Sequence, residues 1–340
     1  MSPSRRRVLV GLALTGLALP RPLLAAGATV KRVLVQREPI FNEKGRKRLA
    51  KLFANQGLVE GRDIAIEFVD LGDGDWPENE VVNAARKAVQ SRPDVILAWG
   101  ESAPLFKRLT ADIPIVFHTL DMDPVRVGLV ESLNLPGGNV TGTLDGGLDV
   151  VEKCWELAKD VRPSIKRFGT LIDDLPDGLL ADLRIHQERA AKRLGVQRVE
   201  IRVPLAAPFP QVERAIASAK VEALDISLSV EHPRWEKELM AALVRMRIVG
   251  VWPTLVLVVR GGLLSVMGNG NESREVAVQM AAKILRGAPA SQIPIYNVKT
   301  FVTSINLRTA DAMRLEIPSA VLLRANWVME KDGTSKGVQW

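Results

Sequence analysis

Residues 117–142 read FHTLDMDPVRVGLVESLNLPGGNVTG, and the meaning of this stretch decides the fold. It leaves an apolar run, turns at Asp121-Met122-Asp123-Pro124, and closes in Pro136-Gly137-Gly138-Asn139-Val140-Thr141-Gly142. Two close aspartates, a rigid proline and four glycines directly after a buried strand suit a ligand cleft. They suit an ordinary loop equally well. The flanking pattern has to separate the two.

Upstream, VKRVLVQ (30–36), IAIEFVD (64–70), DVILAWG (94–100) and IPIVFHTL (113–120) read as β-branched strands. Between them FNEKGRKRLAKLFANQG (41–57), ENEVVNAARKAVQSR (78–92) and ESAPLFKRLT carry helical periodicity. Asp123 before Pro124 predicts a capped helix over PVRVGLVESL. Downstream the alternation resumes with helix LDVVEKCWELAKDV, strand RFGTLID, helix DGLLADLRIHQERAAKRLG and strand VEIRVPL. Helix FPQVERAIASAK, strand ALDISLSV, helix PRWEKELMAALVRMRI and strand VGVWPT follow. Strands alternating with helices of this length mean βαβ units and parallel sheets. There are too many for one open sheet, so the expected fold is α/β, with two Rossmann-like doubly wound parallel-sheet lobes. The tail KDGTSKGVQW (331–340) reads as polar and loose.

Composition sets further bounds. With 340 residues, 47% hydrophobic and 25% charged, the chain is globular and long enough for two cores. Residues 1–28 are a basic start (Arg5, Arg6, Arg7), an apolar stretch and small residues at Ala25, Ala26 and Ala28, the layout of a cleaved secretory signal. Ser4-Arg5-Arg6-Arg7 also matches a twin-arginine export signal, and the sequence leaves the route open. This segment holds four arginines and no acid, so its removal lowers the net charge from +7 to +3. That balance gives no case for nucleic-acid binding. Cys154 stands alone, which excludes an internal disulfide and a cysteine-built zinc site.

In open parallel sheets, ligands gather beyond the carboxyl ends of the strands. The residues there are Arg37, Glu38 and Pro39, then Gly100, Glu101 and Ser102, then Thr119, Asp121 and Asp123. In the second half they are Asp173 and Asp174, Glu231 and His232, and Trp252, Pro253 and Thr254. At Gly100-Glu101-Ser102-Ala103 the N–H groups of Ser102 and Ala103 open a helix and suit a carboxylate or phosphate. A capped helix without ligand has the same look. Phosphate-loop and nucleophile-elbow motifs are absent. His118, His186 and His232 show no metal spacing: His118 reads as a core residue and His186 as a solvated helix position. Gly268-x-Gly270-x-x-Ser273 nearly forms a dinucleotide fingerprint, but its third glycine is Ser273 and no acidic strand end follows.

The run from Ile113 to Gly142 resembles the signature of a family of bacterial ABC-transporter substrate-binding proteins that includes tryptophan and tyrosine binders. The matching pieces are Ile113 to Phe117, Asp123 to Val125, Gly128 to Val130, and Pro136 to Gly142. DVILAWGESA, RAAKRLGV, RGGLLSVMG, AAKILRGAPASQIPI and FVTSINLRTADAMRLEIPSAVLLRANWVME are similar to further family segments, in the family's order. Where the family carries tyrosine after Leu-Leu-Ser, this chain has Val266 and an extra Met267.

The resemblance implies a two-lobed type I periplasmic binding protein with three hinge crossings near 140–145, 255–262 and 296–302. The lobes implied are 29–143 with 258–297, and 144–257 with 298–332, followed by a tail at 333–340. The family function implied is capture of an amino acid or small carboxylate-like molecule in the inter-lobe cleft. The protein would then deliver it in the periplasm to an ABC permease and ATPase, without catalysis, cofactor or metal. The expected ligand-binding residues are Glu38, Gly100, Glu101, Ser102, Ala103, Asp123, Asp145, Asp173, Glu231 and Thr254. Glu38, Glu101, Asp123, Asp145 and Asp173 would share the cleft mouth, and crowded carboxylates favour a ligand with a positive group. The alternative is that these acids cap helices and face water. A periplasmic sensing module for a receptor or kinase would use the same closure, and neighbouring permease and ATPase genes separate that reading from import. An exported enzyme is a third reading, weakened by the absence of a nucleophile–base pair.

Overall fold

The structure is a computed structural model that describes residues 29–37, 43–72, 76–120, 123–146, 149–173, 177–204, 206–226 and 232–337. The first half runs β1 (Lys31–Gln36), α1 (Glu43–Asn55), β2 (Ile64–Val69), α2 (Glu78–Gln90), β3 (Val95–Trp99), α3 (Ala103–Leu109), β4 (Ile115–Leu120) and β5 (Val140–Leu144). Next come α4 (Asp149–Val161), β6 (Arg167–Asp173), α5 (Asp177–Leu194), β7 (Gln197–Val203), α6 (Phe209–Ala219), β8 (Ala223–Asp225), α7 (Glu236–Met246) and β9 (Val249–Trp252). The chain continues through α8 (Leu255–Arg260), β10 (Leu264–Gly268), α9 (Gly270–Leu285), β11 (Tyr296–Asn297) and β12 (Phe301–Asn306). It closes with α10 (Leu307–Ala312), α11 (Ser319–Leu322), β13 (Trp327–Met329) and β14 (Ser335–Gly337).

Two sheets result. The first has strand order β11-β5-β4-β3-β1-β2, and the second β14-β13-β12-β10-β9-β8-β6-β7. All pairings in the first sheet are parallel. Its strands are apolar on both faces because helices cover both. Val33, Val35, Val95, Leu97 and Val116 face α1 and α9, while Leu34, Ile96, Ala98, Ile115 and Phe117 join the core on the opposite face, with Phe106 of α3. In the second sheet, α4 places Val151, Cys154, Trp155, Ala158 and Val161 on one stripe at three- and four-residue spacing. The fully buried Trp155 ring stacks on Phe168 at 4.0 Å, and its indole N–H donates to Asp225 Oδ2 at 3.2 Å.

Gly142 shows what the opening motif does. A Cβ there would lie 2.2 Å from the Phe117 carbonyl oxygen and 2.5 Å from its ring. Only glycine lets β5 run this close to β4, at the point where their register shifts between Phe117 and Leu120.

Four expectations are corrected. PVRVGLVESL is a series of turns, because Gly128 takes a left-handed φ of +70° and ends any helical run. The 258–297 segment does not all follow the first sheet. β10 is hydrogen-bonded between β9 and β12 in the second sheet, and Leu263, Leu264 and Val266 are buried in that sheet's core. The second crossing therefore lies at Asn269, not at 255–262. The tail is partly structured: β14 pairs antiparallel with β13, closed by a turn in which Glu330 N–H donates to the Thr334 carbonyl at 2.8 Å. His186 is half-buried, its Nδ1 3.3 Å from Glu152 Oε1. His118 is buried as expected. The expected signal at 1–28 lies outside the described residues. Among the described residues no helix is long and apolar enough to cross a membrane.

Candidate functional site

Parallel pairing puts the carboxyl ends of β1, β3, β4 and β5 on one edge of the first sheet, and those of β6, β8, β9 and β10 on one edge of the second. On the first edge Gln36 organises the rim. Its side-chain oxygen accepts from Trp99 N–H at 2.9 Å, and its amide donates to Ser102 Oγ at 2.9 Å. The Trp99 ring, half-buried, tilts against His118 with centroids 5.3 Å apart. Below them a narrow void is lined by Gln36, Leu49, Leu97, His118, Arg274 and Val278. This arrangement offers an indole face and a hydroxyl of fixed direction, features that orient a small ligand.

The two edges are joined at three crossings. Asp145 and Gly146 leave β5 toward α4, which packs on the second sheet. Asn269 links β10 to α9, which packs back on the first sheet. Residues 298–300 link β11 to β12. The first two crossings touch: a Cβ on Gly268 would stand 2.2 Å from Asp145 Oδ1 and 2.7 Å from its carbonyl oxygen. This contact accounts for the first glycine of the near-fingerprint. Ser273, at its third position, is fully buried with Oγ 2.6 Å from Thr143 Oγ1. The motif is thus a joint between sheets.

Asp145 is 7% exposed and its Oδ1 has no hydrogen-bond partner among the described residues. Burial pushes its carboxyl up to about 6. Glu272, on the first turn of α9, is the opposite case. Its Oε1 accepts from Tyr296 Oη at 2.8 Å and Lys299 N–H at 2.9 Å, and its Oε2 from Thr300 N–H at 3.0 Å and from Thr300 Oγ1. Burial alone would raise the Glu272 carboxyl, but these donors outweigh it and hold it below the usual range. Among the described residues no group of His, Cys, Asp or Glu side chains is placed to hold a metal ion.

The expected site residues fare differently. Gly100 and Ser102 stand at the first rim beside Gln36. Buried Ala103 already donates its N–H to the Gly100 carbonyl, so that group is not presented to a ligand as expected. Asp123 is exposed, and its Oδ1 accepts from Val125 N–H at 2.9 Å and Arg126 N–H at 3.3 Å, capping a turn. Thr254 caps α8 through Leu257 N–H at 3.4 Å. Asp145 lies at the joint. Glu101 and Asp173 have described backbones only, and Glu38 and Glu231 lie outside the described residues. Sequence reasoning missed Gln36, Trp99, Glu272 and Tyr296. Gln36 had one available signal, a polar residue ending an otherwise apolar strand.

Residues 50–329 match the family model described as ABC transporter substrate binding protein. A tyrosine-binding protein of Clostridioides difficile (strain R20291) is 36% identical over 130 residues, which span 38% of this chain and 36% of that relative. A solved structure of an ABC domain in complex with L-Trp from Streptococcus pneumonia superposes with a TM-score of 0.69 at 21% identity, covering 88% of this chain and 99% of that one. The ligand-free, open structure of a substrate-binding protein with adhesive properties from Clostridium difficile gives a TM-score of 0.70 at 24% identity, covering 85% and 97%. These structural likenesses confirm the α/β fold with parallel-sheet lobes.

Proposed function

Because the chain belongs to the family of ABC transporter substrate-binding proteins, we propose that it captures an amino acid or small carboxylate-like molecule between its two sheets. It then delivers this ligand in the periplasm to an inner-membrane permease and ATPase, after the leader at 1–28 has been removed. The observation that carries the reading is the joint. Two sheets turn the carboxyl ends of their parallel strands to the place where three crossings meet, and closure about such crossings would bury a ligand on both sides.

The first lobe would comprise the β1–β5 sheet with α9, and the second the remaining strands. On the first side, Trp99 and Ser102 supply a flat apolar face and a hydroxyl, with Gly100 leaving room. Asp123 belongs to this side and Asp173 ends β6 on the second, and together with Glu38 and Glu101 they would add negative charge for a ligand ammonium. Thr254, which caps α8 just after β9, approaches from the second side. The names of the tyrosine-binding relative and of the L-Trp complex support an amino acid as the ligand class. No step of this reading needs a catalytic group or cofactor.

A thermal-shift screen of the purified protein against the common amino acids and small carboxylates tests the reading. A ligand at a hundredfold excess over its Kd stabilises by about 2.7 kcal/mol and raises the melting temperature. Small-angle scattering should then show a smaller radius of gyration with that ligand. No shift with any compound sinks the ligand class, and an unchanged radius with a bound ligand sinks the closure.

A further inference from the structure

The third crossing is held to the second by a carboxylate. Glu272 accepts from two successive backbone amides, Lys299 at 2.9 Å and Thr300 at 3.0 Å, as well as from Tyr296 and Thr300 hydroxyls. Asn269, the residue of the second crossing, donates its N–H to the Thr300 carbonyl at 3.0 Å and its side-chain amide to Thr300 Oγ1 at 3.1 Å. Lys299 Nζ lies 5.8 Å above the Tyr296 ring. Hydrogen bonds to an ionised carboxylate are roughly twice as strong as neutral ones. Bending the chain at 298–300 would break two of them together. The helix that carries Glu272 cannot follow freely, because Ala277, Val278, Ala281 and Ile284 are buried against the first sheet.

We propose that Glu272 is a positioning residue of the hinge: it rivets residues 298–300, and with them Asn269, to the first lobe, so that bending is confined to the strand ends at Gly268 and Phe301 and the resting angle between lobes is set. The proposal rests on the closure reading above. The clamp acts without ligand. It selects one backbone course for the crossing from the many an untethered three-residue link can take, and so narrows the resting ensemble. A narrower ensemble determines what fraction of the protein is ready to bind.

Spin labels at Lys51→Cys and Lys192→Cys, exposed positions on α1 and α5, report the inter-lobe distance in the ligand-free full chain. The native Cys154 is buried and its thiol is pushed well up by burial, so it stays unlabelled. Glu272→Gln keeps one acceptor but sets an N–H₂ against the Thr300 or Lys299 amide, and the distance distribution should broaden. Tyr296→Phe removes the phenol alone and should keep the wild-type width. A wild-type distribution in Glu272→Gln overturns the proposal, whatever happens to its melting temperature. Equal broadening in both variants also overturns it, because that is general loosening. If Glu272→Gln does not fold, Glu272→Asp, which keeps the charge but shortens the reach, is read the same way. A wild-type distance that does not move on adding an amino acid counts against the proposed function and leaves the comparison of variants intact.

Discussion

Asp145→Asn should make the ligand-free protein more stable at pH 7.5 and remove a pH dependence. Asp145 is buried at the joint with one oxygen unpartnered among the described residues, and its carboxyl is pushed up from 3.8 to about 6. The folded chain therefore holds this proton more tightly than the unfolded chain. Between those two values the native state carries the extra proton, and stability falls as pH rises. The whole cost is present above about 6 and absent below about 4. A shift of about two units, at ~1.4 kcal/mol per unit, sets a ceiling of about 3 kcal/mol. Asparagine has the same shape and no charge, so the variant escapes that cost. Melting followed by circular dichroism at pH 4.5, 6 and 7.5 checks it, with each kcal/mol worth about 2 °C in a chain of this size. The gap between variant and wild type should grow with pH. A variant equally or less stable at pH 7.5, or a gap independent of pH, refutes the argument that desolvation dominates at Asp145.

Trp155→Ala should cost about 3–5 kcal/mol, the range for emptying a large aromatic site, and calorimetry should record the loss. It also leaves Asp225, itself fully buried, without the indole donor. Gly142→Ala places a methyl group 2.2 Å from the Phe117 carbonyl and should destabilise by about 1–3 kcal/mol in urea titrations, through forced strand separation. Glu200 accepts from Arg184, Arg202 and Arg198, and these bonds hold its carboxyl at about 2. Its contribution is complete above the unfolded value of 4.5 and lost as pH falls through about 2. Glu200→Gln should therefore lower stability at pH 7 by about 2 kcal/mol, with the deficit shrinking below pH 4.5 in acid titrations.

The local features were legible and the distant pairings were not. Continuous apolar runs such as VILAW, buried on both faces, and the three- and four-residue stripe of α4 follow from backbone geometry and can be read in place. The 117–142 stretch declared a strand, a turn and a glycine-permitted strand. The helix expected after Pro124 failed because the left-handed turn at Gly128 outweighs an N-terminal proline. β10 was assigned to the wrong sheet because sheet membership is decided by pairing with β9 and β12, which no local period records. At the site, Asp145 was read as a charge at a cleft mouth. Its burial depends on Gly268 closing over it, a contact between residues far apart in the chain. Glu272 carried no signal, since an acid on the first turn of a helix is ordinary.

The outermost strands of the second sheet carry a consequence of their own. β7 presents Arg198, Glu200 and Arg202 in a paired row about Glu200, and β14 is exposed along its length, with Lys336 bound to Glu330 at 2.9 Å. A sheet margin offers main-chain groups to any extended segment that drifts past. Here such a visitor would have to strip water and partners from charged side chains before its first ladder bond formed. The margins thus oppose amyloid-like stacking between copies, while β7 still sends Ile201 and Val203 into the core beneath it.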